Sequence, residues 1–325
     1  MTDQVINIVA DIGGTNLRIA LVNDDGGTDL LSVYQCSEYD GLSTIVQTFL
    51  VEHSLVADQI NGCFAIACPV DQDLIQMTNL PWQFSKKALK EELGFSKLLF
   101  INDYTAIAHA VPFLTDDQKV KIGRGTVVPG KPISICGPGT GLGVANVVPV
   151  GEHWESLGGE GGHVDFAPVD ATEIAILSIL LQKYSHVSYE QLLSGQGLEQ
   201  IYQALCQINQ CQELPKLSAQ EISTNALNQK CEICQQALAQ FCKTLGSFSG
   251  NLALTLSSFG GVYIAGGIVP RFIEYFKNSE FRSRFEDKGR FNLFNSAIPT
   301  FVITESQPGI LGASAYLRQH NKEEL

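Results

Sequence analysis

Two short loops in this chain have the composition of phosphate cradles. Ala10, Asp11, Ile12, Gly13, Gly14 and Thr15 form the first, and Gly139, Thr140 and Gly141 the second; each follows a short apolar run and leads into an alternating one. Glycine permits positive φ and close backbone approach, so several N–H groups can converge on one anion. Asp11 would repel a phosphate unless a cation lies between them. It therefore reads as a ligand to Mg²⁺, held through water, although a lone Asp-x-Gly-Gly is also an ordinary turn. A third glycine pair, Gly266 and Gly267, ends the apolar run Gly260–Ala265. It would let a flat adenine or ribose ring lie on backbone, and by itself it is equally a tight strand-to-helix turn.

Two other glycine patterns are decoys. Gly125–Lys131 matches seven positions of a P-loop, but Pro132 stands where a hydroxyl must meet Mg²⁺, and a strand follows instead of a helix. Gly137–Gly143 lacks the third glycine of a dinucleotide fingerprint, because Leu142 occupies its place.

Asn102 and Asp103 close an apolar run just where a helical pattern starts, positions that also suit an N-cap. Glu160 and His163 lie among Gly158, Gly159, Gly161 and Gly162, and Glu190 precedes Leu192-Leu193-Ser-Gly195. Ordering so flexible a charged loop costs backbone entropy, which a ligand would offset. The set has many acceptors, some donors and few fixed positive charges. It suits a neutral polyol, because hydrogen bonds to charged groups contribute about 1.5–3 kcal/mol each; an anionic substrate fits it poorly.

Positioning these groups requires an α/β scaffold. Strand patterns at Val5–Ala10, Leu17–Val22, Gly62–Cys68 and Leu98–Ile101 alternate with helical patterns at Gly41–His53, Ser85–Leu93 (Ser85 as N-cap) and Thr105–Val111. Thr115–Pro132, polar and rich in Gly and Pro, reads as a link to a second unit. That unit opens on strand Ile133–Cys136, is helical over roughly 171–256, and returns to strand at Gly260–Ala265 and Thr300–Thr304. A helix over Pro308–Gln319 closes the chain. Gly13–Val22 and Gly139–Val148 repeat one strand–turn–strand pattern at a constant offset, which fits a duplicated unit or two unrelated glycine-rich hairpins equally well.

The 325 residues allow about two domains. A net charge of −13 disfavours nucleic acid and anionic membrane surfaces as partners. No apolar run reaches the ~20 residues of a membrane span; the longest, Ile174–Leu181 and Val262–Val269, read as core. No secretory signal is visible. Nine scattered cysteines point to reduced thiols, and the lone pair Cys231 and Cys234, with Cys206 and Cys211 upstream, reads as packing thiols in a helix, its irregular spacing favouring that over a zinc site.

Asp11-Ile-Gly-Gly-Thr-Asn16, Ile101-Asn-Asp-Tyr-Thr-Ala106, Gly139-Thr-Gly-Leu-Gly143, Gly158-Gly-Glu-Gly-Gly-His-Val-Asp-Phe-Ala-Pro168 and Ile264-Ala-Gly-Gly-Ile-Val-Pro-Arg-Phe272 resemble the bacterial glucokinases, in order and with compatible spacing. The resemblance implies two ribonuclease-H-like domains of the actin-like ATPase superfamily with an interdomain cleft: residues 1–113 plus 304–325, and a larger domain 114–303 with helical insertions. It implies a cytoplasmic, glycolytic enzyme that makes glucose 6-phosphate and ADP from glucose, ATP and Mg²⁺, and that works as a homodimer. By matched position, Asp103 would be the catalytic base, Asn102, Asp103, Glu160, His163 and Glu190 would hold sugar hydroxyls, and Ala10–Thr15 would bind phosphate. Val164–Val169 has no cysteine where a related family of repressors and kinases carries a zinc motif, so no structural zinc is expected. The alternatives are a kinase for another hexose and a sugar- and ATP-binding actin-like protein without catalysis.

Overall fold

A computed structural model describes residues 5–56, 59–77, 80–211 and 215–322. The chain divides into two compact units: Met1–Leu114 with Gly151–Ser156 and Glu305–Leu325, and Thr115–Val150 with Leu157–Thr304.

In the first unit, strands Val5–Ile12 (β1) and Asn16–Val22 (β2) form an antiparallel hairpin, and Thr28–Gln35 (β3) adds antiparallel to β2. Gln59–Ile66 (β4) pairs parallel to β1. After a small ribbon of Leu74–Gln76 (β5) and Gln83–Ser85 (β6), Lys97–Asn102 (β7) pairs parallel to β4. The sheet order is β3-β2-β1-β4-β7. Both faces are covered, so β1 reads as a continuous apolar run rather than an alternating one. Ile6, Ile8 and Ile12 pack with Leu42, Ile45, Val46 and Phe49 of helix Leu42–Glu52 (α1). On the other face, Val9, Ala65 and Ile101 pack with Ala106, Ile310, Ala313 and Leu317. The last three belong to the closing helix Pro308–Lys322, which lies on helix Asp103–Ala110 (α3). That crossing is close because residue 312 is glycine: a Cβ there would stand 1.6 Å from the carbonyl oxygen of Ala106. Ser85 caps Lys86–Leu93 (α2) as expected, accepting the Ala88 amide at 3.2 Å.

The second unit contains Lys119–Ile122 (β8), Ile133–Pro138 (β9), Leu142–Val150 (β10), Gly261–Ile264 (β12) and Thr300–Ile303 (β13). Its sheet includes the run β10-β9-β12-β13-β8. β9 and β10 form an antiparallel hairpin, while β9, β12 and β13 run parallel. The arrangement repeats that of the first unit, a hairpin followed by parallel strands, and resolves the repeat in favour of a duplicated unit. His153–Leu157 (β11) lies where the chain passes between units. The Trp154 amide donates to Gln319 Oε1 and Gln319 Nε2 donates to the Trp154 carbonyl, both at 3.2 Å. This clasp ties 151–156, which the sequence kept with the second domain, to the closing helix.

Thr115–Pro132 is more than a link, because β8 within it pairs antiparallel with β13. Helices Ala171–Leu180 (α4), Gly195–Ile208 (α5), Ala219–Leu227 (α6) and Glu232–Leu256 (α7) account for the helical middle. The run 174–181 is only partly core: Ile176 and Leu180 are buried, while Ile174 and Leu181 are 55% and 53% exposed. Three short helices between Ile273 and Ala297 escape the sequence pattern, yet Phe276, Phe281 and Phe285 from them are fully buried. Glu173 is buried on α4 and receives Arg284 Nη2 at 2.9 and 3.1 Å, Gln240 Nε2 at 2.8 Å and the Val169 amide at 2.8 Å. An unpaired carboxylate there would be severely destabilising, so these donors hold α4, α7 and the Phe281–Glu286 helix together.

Candidate active site

The predicted site residues fall into two groups. Asp11–Thr15, Asn102 and Asp103 lie in the first unit; Gly139–Gly141, Glu160, His163, Glu190, Gly266 and Gly267 lie in the second.

In the first unit the residues gather at the carboxyl ends of β1, β4 and β7, the edge where parallel α/β sheets bind ligands. The first glycine loop is a tight turn: the Gly13 amide donates to the Asn16 carbonyl at 3.0 Å, and the Cys36 amide donates to the Thr15 carbonyl at 2.9 Å. Asp11 faces Arg18 across the hairpin. Burial pushes its carboxyl above the usual range, while Arg18 draws it down. The closing helix meets Asp11 through glycine, since a Cβ on Gly309 would stand 2.8 Å from the Asp11 carboxyl carbon. Gly309 and Arg18 are contributors that the sequence reading missed; the glycine spacing of Gly309 and Gly312 on one helix was the available signal.

Asn102 is the N-cap of α3, its Oδ1 accepting the amides of Tyr104 at 2.9 Å and Thr105 at 3.4 Å. Capping occupies Oδ1 and leaves Nδ2 as the donor, which also bonds the Asp103 carboxyl. Asp103 occupies the first helical position and accepts the Tyr104 amide at 3.0 Å. Burial pushes its carboxyl up to about 6, with a smaller push from Asp11, against the lowering effect of the Tyr104 amide. Such a group is ionised at neutral pH and still basic enough to take a proton.

In the second unit the glycine loop closes on itself, with the Gly139 amide donating to the Gly141 carbonyl at 2.8 Å. Glu190 Oε2 accepts the Leu142 amide at 2.8 Å, and a Cβ on Gly141 would stand 2.5 Å from that oxygen. Glu190 therefore braces the loop with one oxygen. Its other oxygen lies 3.9 Å from His163 Nε2. His163 and Glu160 are exposed on a 3₁₀ turn over Gly161–His163, where the His163 amide donates to the Glu160 carbonyl at 3.0 Å. This turn presses on β10, because a Cβ on Gly162 would stand 2.1 Å from the Leu142 carbonyl oxygen. Gly266, at φ +82°, abuts the Pro138 carbonyl, while Gly139 and Gly267 have open space where a side chain would be. The four polar and glycine clusters of this unit thus share one edge, at the ends of β9 and β12.

The glucokinase family model matches residues 8–320. The chain is 62% identical to a glucokinase of Colwellia psychrerythraea over 320 residues, 97% of each chain. The chain belongs to the glucokinase family. A glucokinase crystal structure from an Antarctic psychrotroph aligns over 97% of this chain and 99% of its own, with a TM-score of 0.89 and 33% identity. The glucokinase of Balamuthia mandrillaris, solved in complex with glucose, shares the fold at a TM-score of 0.76 over 97% of this chain and 93% of its own, with 22% identity. Membership agrees with the duplicated sheet, the two glycine turns and the carboxylate at a helix start.

Proposed function

We propose that, in the ATP-dependent phosphorylation of glucose that defines the family, Asp103 removes the proton from the sugar's 6-hydroxyl as that oxygen attacks the γ-phosphoryl group. The observation that carries this reading is the Asp103 carboxyl itself, fixed at the start of α3 and pushed up to about 6 mainly by burial. The 6-oxygen bonds to phosphorus, the bond from phosphorus to the β,γ-bridging oxygen breaks, ADP leaves, and Asp103 holds the proton. Asn102 Nδ2, Glu160, His163 and Glu190 Oε1 hold sugar hydroxyls. With the Gly13 and Gly139 amides closing their own turns, the amides of Gly14 and Thr15 and of Thr140 and Gly141 bind phosphate oxygens, and Gly266 and Gly267 admit the nucleoside.

Among the described residues no three His, Cys, Asp or Glu side chains could together hold a metal ion. Mg²⁺ on a nucleotide asks for less, taking one or two carboxylates beside waters and phosphate oxygens. Asp11 fits that need as a single carboxylate acting through water. The ion would neutralise charge on the β- and γ-phosphates, which phosphoryl transfer requires. The nine free thiols support a reducing, cytoplasmic setting, and the working form is a homodimer, which sedimentation would reveal.

The deciding experiment is ADP release with glucose, with and without Mg²⁺, across a panel of hexoses. Release with glucose that depends on Mg²⁺ supports the reading. A stronger response to another hexose, or sugar binding without ADP release, would replace it.

A further inference from the structure

All nine cysteines are free thiols, and six are buried. The three that reach solvent, Cys206, Cys211 and Cys231, belong to one corner of the second unit, where the buried Cys234 joins them. Helix ends build this corner. Cys206 lies in the last turn of α5, and the amide of Cys211 donates to its carbonyl at 3.0 Å. Cys231 is the N-cap of the 25-residue helix α7, and its Sγ accepts the Cys234 amide at 3.3 Å. The Cys234 thiol in turn donates to the Cys231 sulfur. The buried Tyr202 hydroxyl lacks a well-formed hydrogen bond and lies within electrostatic reach of Cys206, Cys231 and Cys234.

Ser, Thr, Asp and Asn are the usual N-caps, so a sulfur in that place is a chemical choice. There it sits at the N-terminal end of a 25-residue helix and accepts the Cys234 amide. The Cys231 sulfur lies 3.3 Å from the Cys234 backbone nitrogen and the Cys234 thiol reaches back to it, so the two side chains already meet, as a disulfide with Cβ atoms ~3.5–4.5 Å apart requires. The accessible sulfur is thus the one at the cap, and its partner is shielded one turn inside. No three or more ligand-type side chains among the described residues could together hold a metal ion, which favours a pair over a metal cage.

We propose that Cys231 and Cys234 form a redox-active dithiol that peroxide converts to a disulfide. The Cys231 thiolate attacks one peroxide oxygen, the O–O bond breaks, and water leaves behind a sulfenic acid. The Cys234 sulfur then attacks that sulfur, the S–O bond breaks, and a second water carries off the oxygen and the Cys234 proton. Two thiols lose two electrons and two protons while one peroxide becomes two waters. Burial and the bond to Cys231 push the Cys234 thiol up to about 12, so Cys231 reacts first. In a reducing compartment such a bond is transient and suits sensing.

The test uses the full chain, treated with limiting hydrogen peroxide, alkylated, and digested without reductant for mass spectrometry. The first product should be a Cys231–Cys234 disulfide reversed by dithiothreitol, formed before any disulfide that includes Cys206 or Cys211. Cys234→Ser should stop at a sulfenic acid on Cys231 that dimedone traps. Cys231→Ser keeps a favoured cap and should abolish the disulfide. Earlier reaction at Cys206 or Cys211, a first disulfide that includes either of them, or survival of both Cys231 and Cys234 as thiols would overturn the proposal.

Discussion

Asp11 and Asp103 share one sheet edge: Ile12, Ile66 and Asn102 form a single register row across β1, β4 and β7, with Asp11 one residue before it and Asp103 one residue after. Two strand spacings set their backbones roughly 10 Å apart, far enough to serve different atoms of one reaction and near enough that Asp11 still raises the Asp103 carboxyl.

The first prediction concerns rate. Asp103→Asn keeps an oxygen for the Tyr104 amide but cannot accept a proton. Turnover should fall by about 10²–10⁴-fold while glucose affinity, read by calorimetry, changes little. In the parent, kcat/KM should rise with pH to a plateau above about 6, where Asp103 is ionised. A flat profile from pH 5 to 8 would remove Asp103 from the role.

The same carboxylate should weaken the fold. Its folded value is raised from 3.8 to about 6, so its contribution to stability is full below pH 4 and is lost as pH climbs through 6. The shift corresponds to roughly 2–3 kcal/mol. Asp103→Asn should therefore melt a few degrees higher than the parent at pH 8 and at the same temperature near pH 4.

Much of this machinery is legible in the chain because turns and caps are local. The residues of the two glycine loops, the cap at Asn102 and the Ser85 cap are all set by near neighbours. What escaped depends on distant partners. Thr28–Gln35 has no clean alternation, with Leu30, Leu31 and Val33 exposed, and it is a strand because β2 offers it an edge. β8 is likewise a strand because of β13. Nothing local in the sequence marks Glu190 as a brace; only the fold reveals that it accepts the Leu142 amide.

The closing helix should be intolerant of two methyl groups for different reasons. Gly312→Ala meets backbone at Ala106, which cannot yield, and should cost on the order of 1–3 kcal/mol or more, lowering the melting temperature. Gly309→Ala meets the Asp11 carboxylate instead. It should raise the Mg²⁺ and ATP concentrations needed for half-maximal rate and leave the glucose KM in place.

Glu190→Ala leaves the Leu142 amide without its partner and frees the second glycine loop, a change of about 1–3 kcal/mol. KM for ATP and for glucose should both rise. Glu190→Gln keeps an acceptor and should preserve the ATP KM better than the glucose KM.

Glu173→Ala removes the acceptor for Arg284, Gln240 and the Val169 amide. Unfolding by urea should show a loss of about 3–5 kcal/mol.

The clasp between Trp154 and Gln319 has a bearing on how the molecule is made. The sheet face lined by Val9, Ala65 and Ile101 meets Ile310, Ala313 and Leu317 only when Pro308–Lys322 arrives, and until then Trp154 lacks its clasp on Gln319. A nascent chain holding Asp11 and Asp103 is consequently an unfinished fold with an apolar face bare, and it must remain so while the whole second unit is being synthesised. Chaperone dependence and aggregation of chains stalled before Pro308 are where that burden would surface.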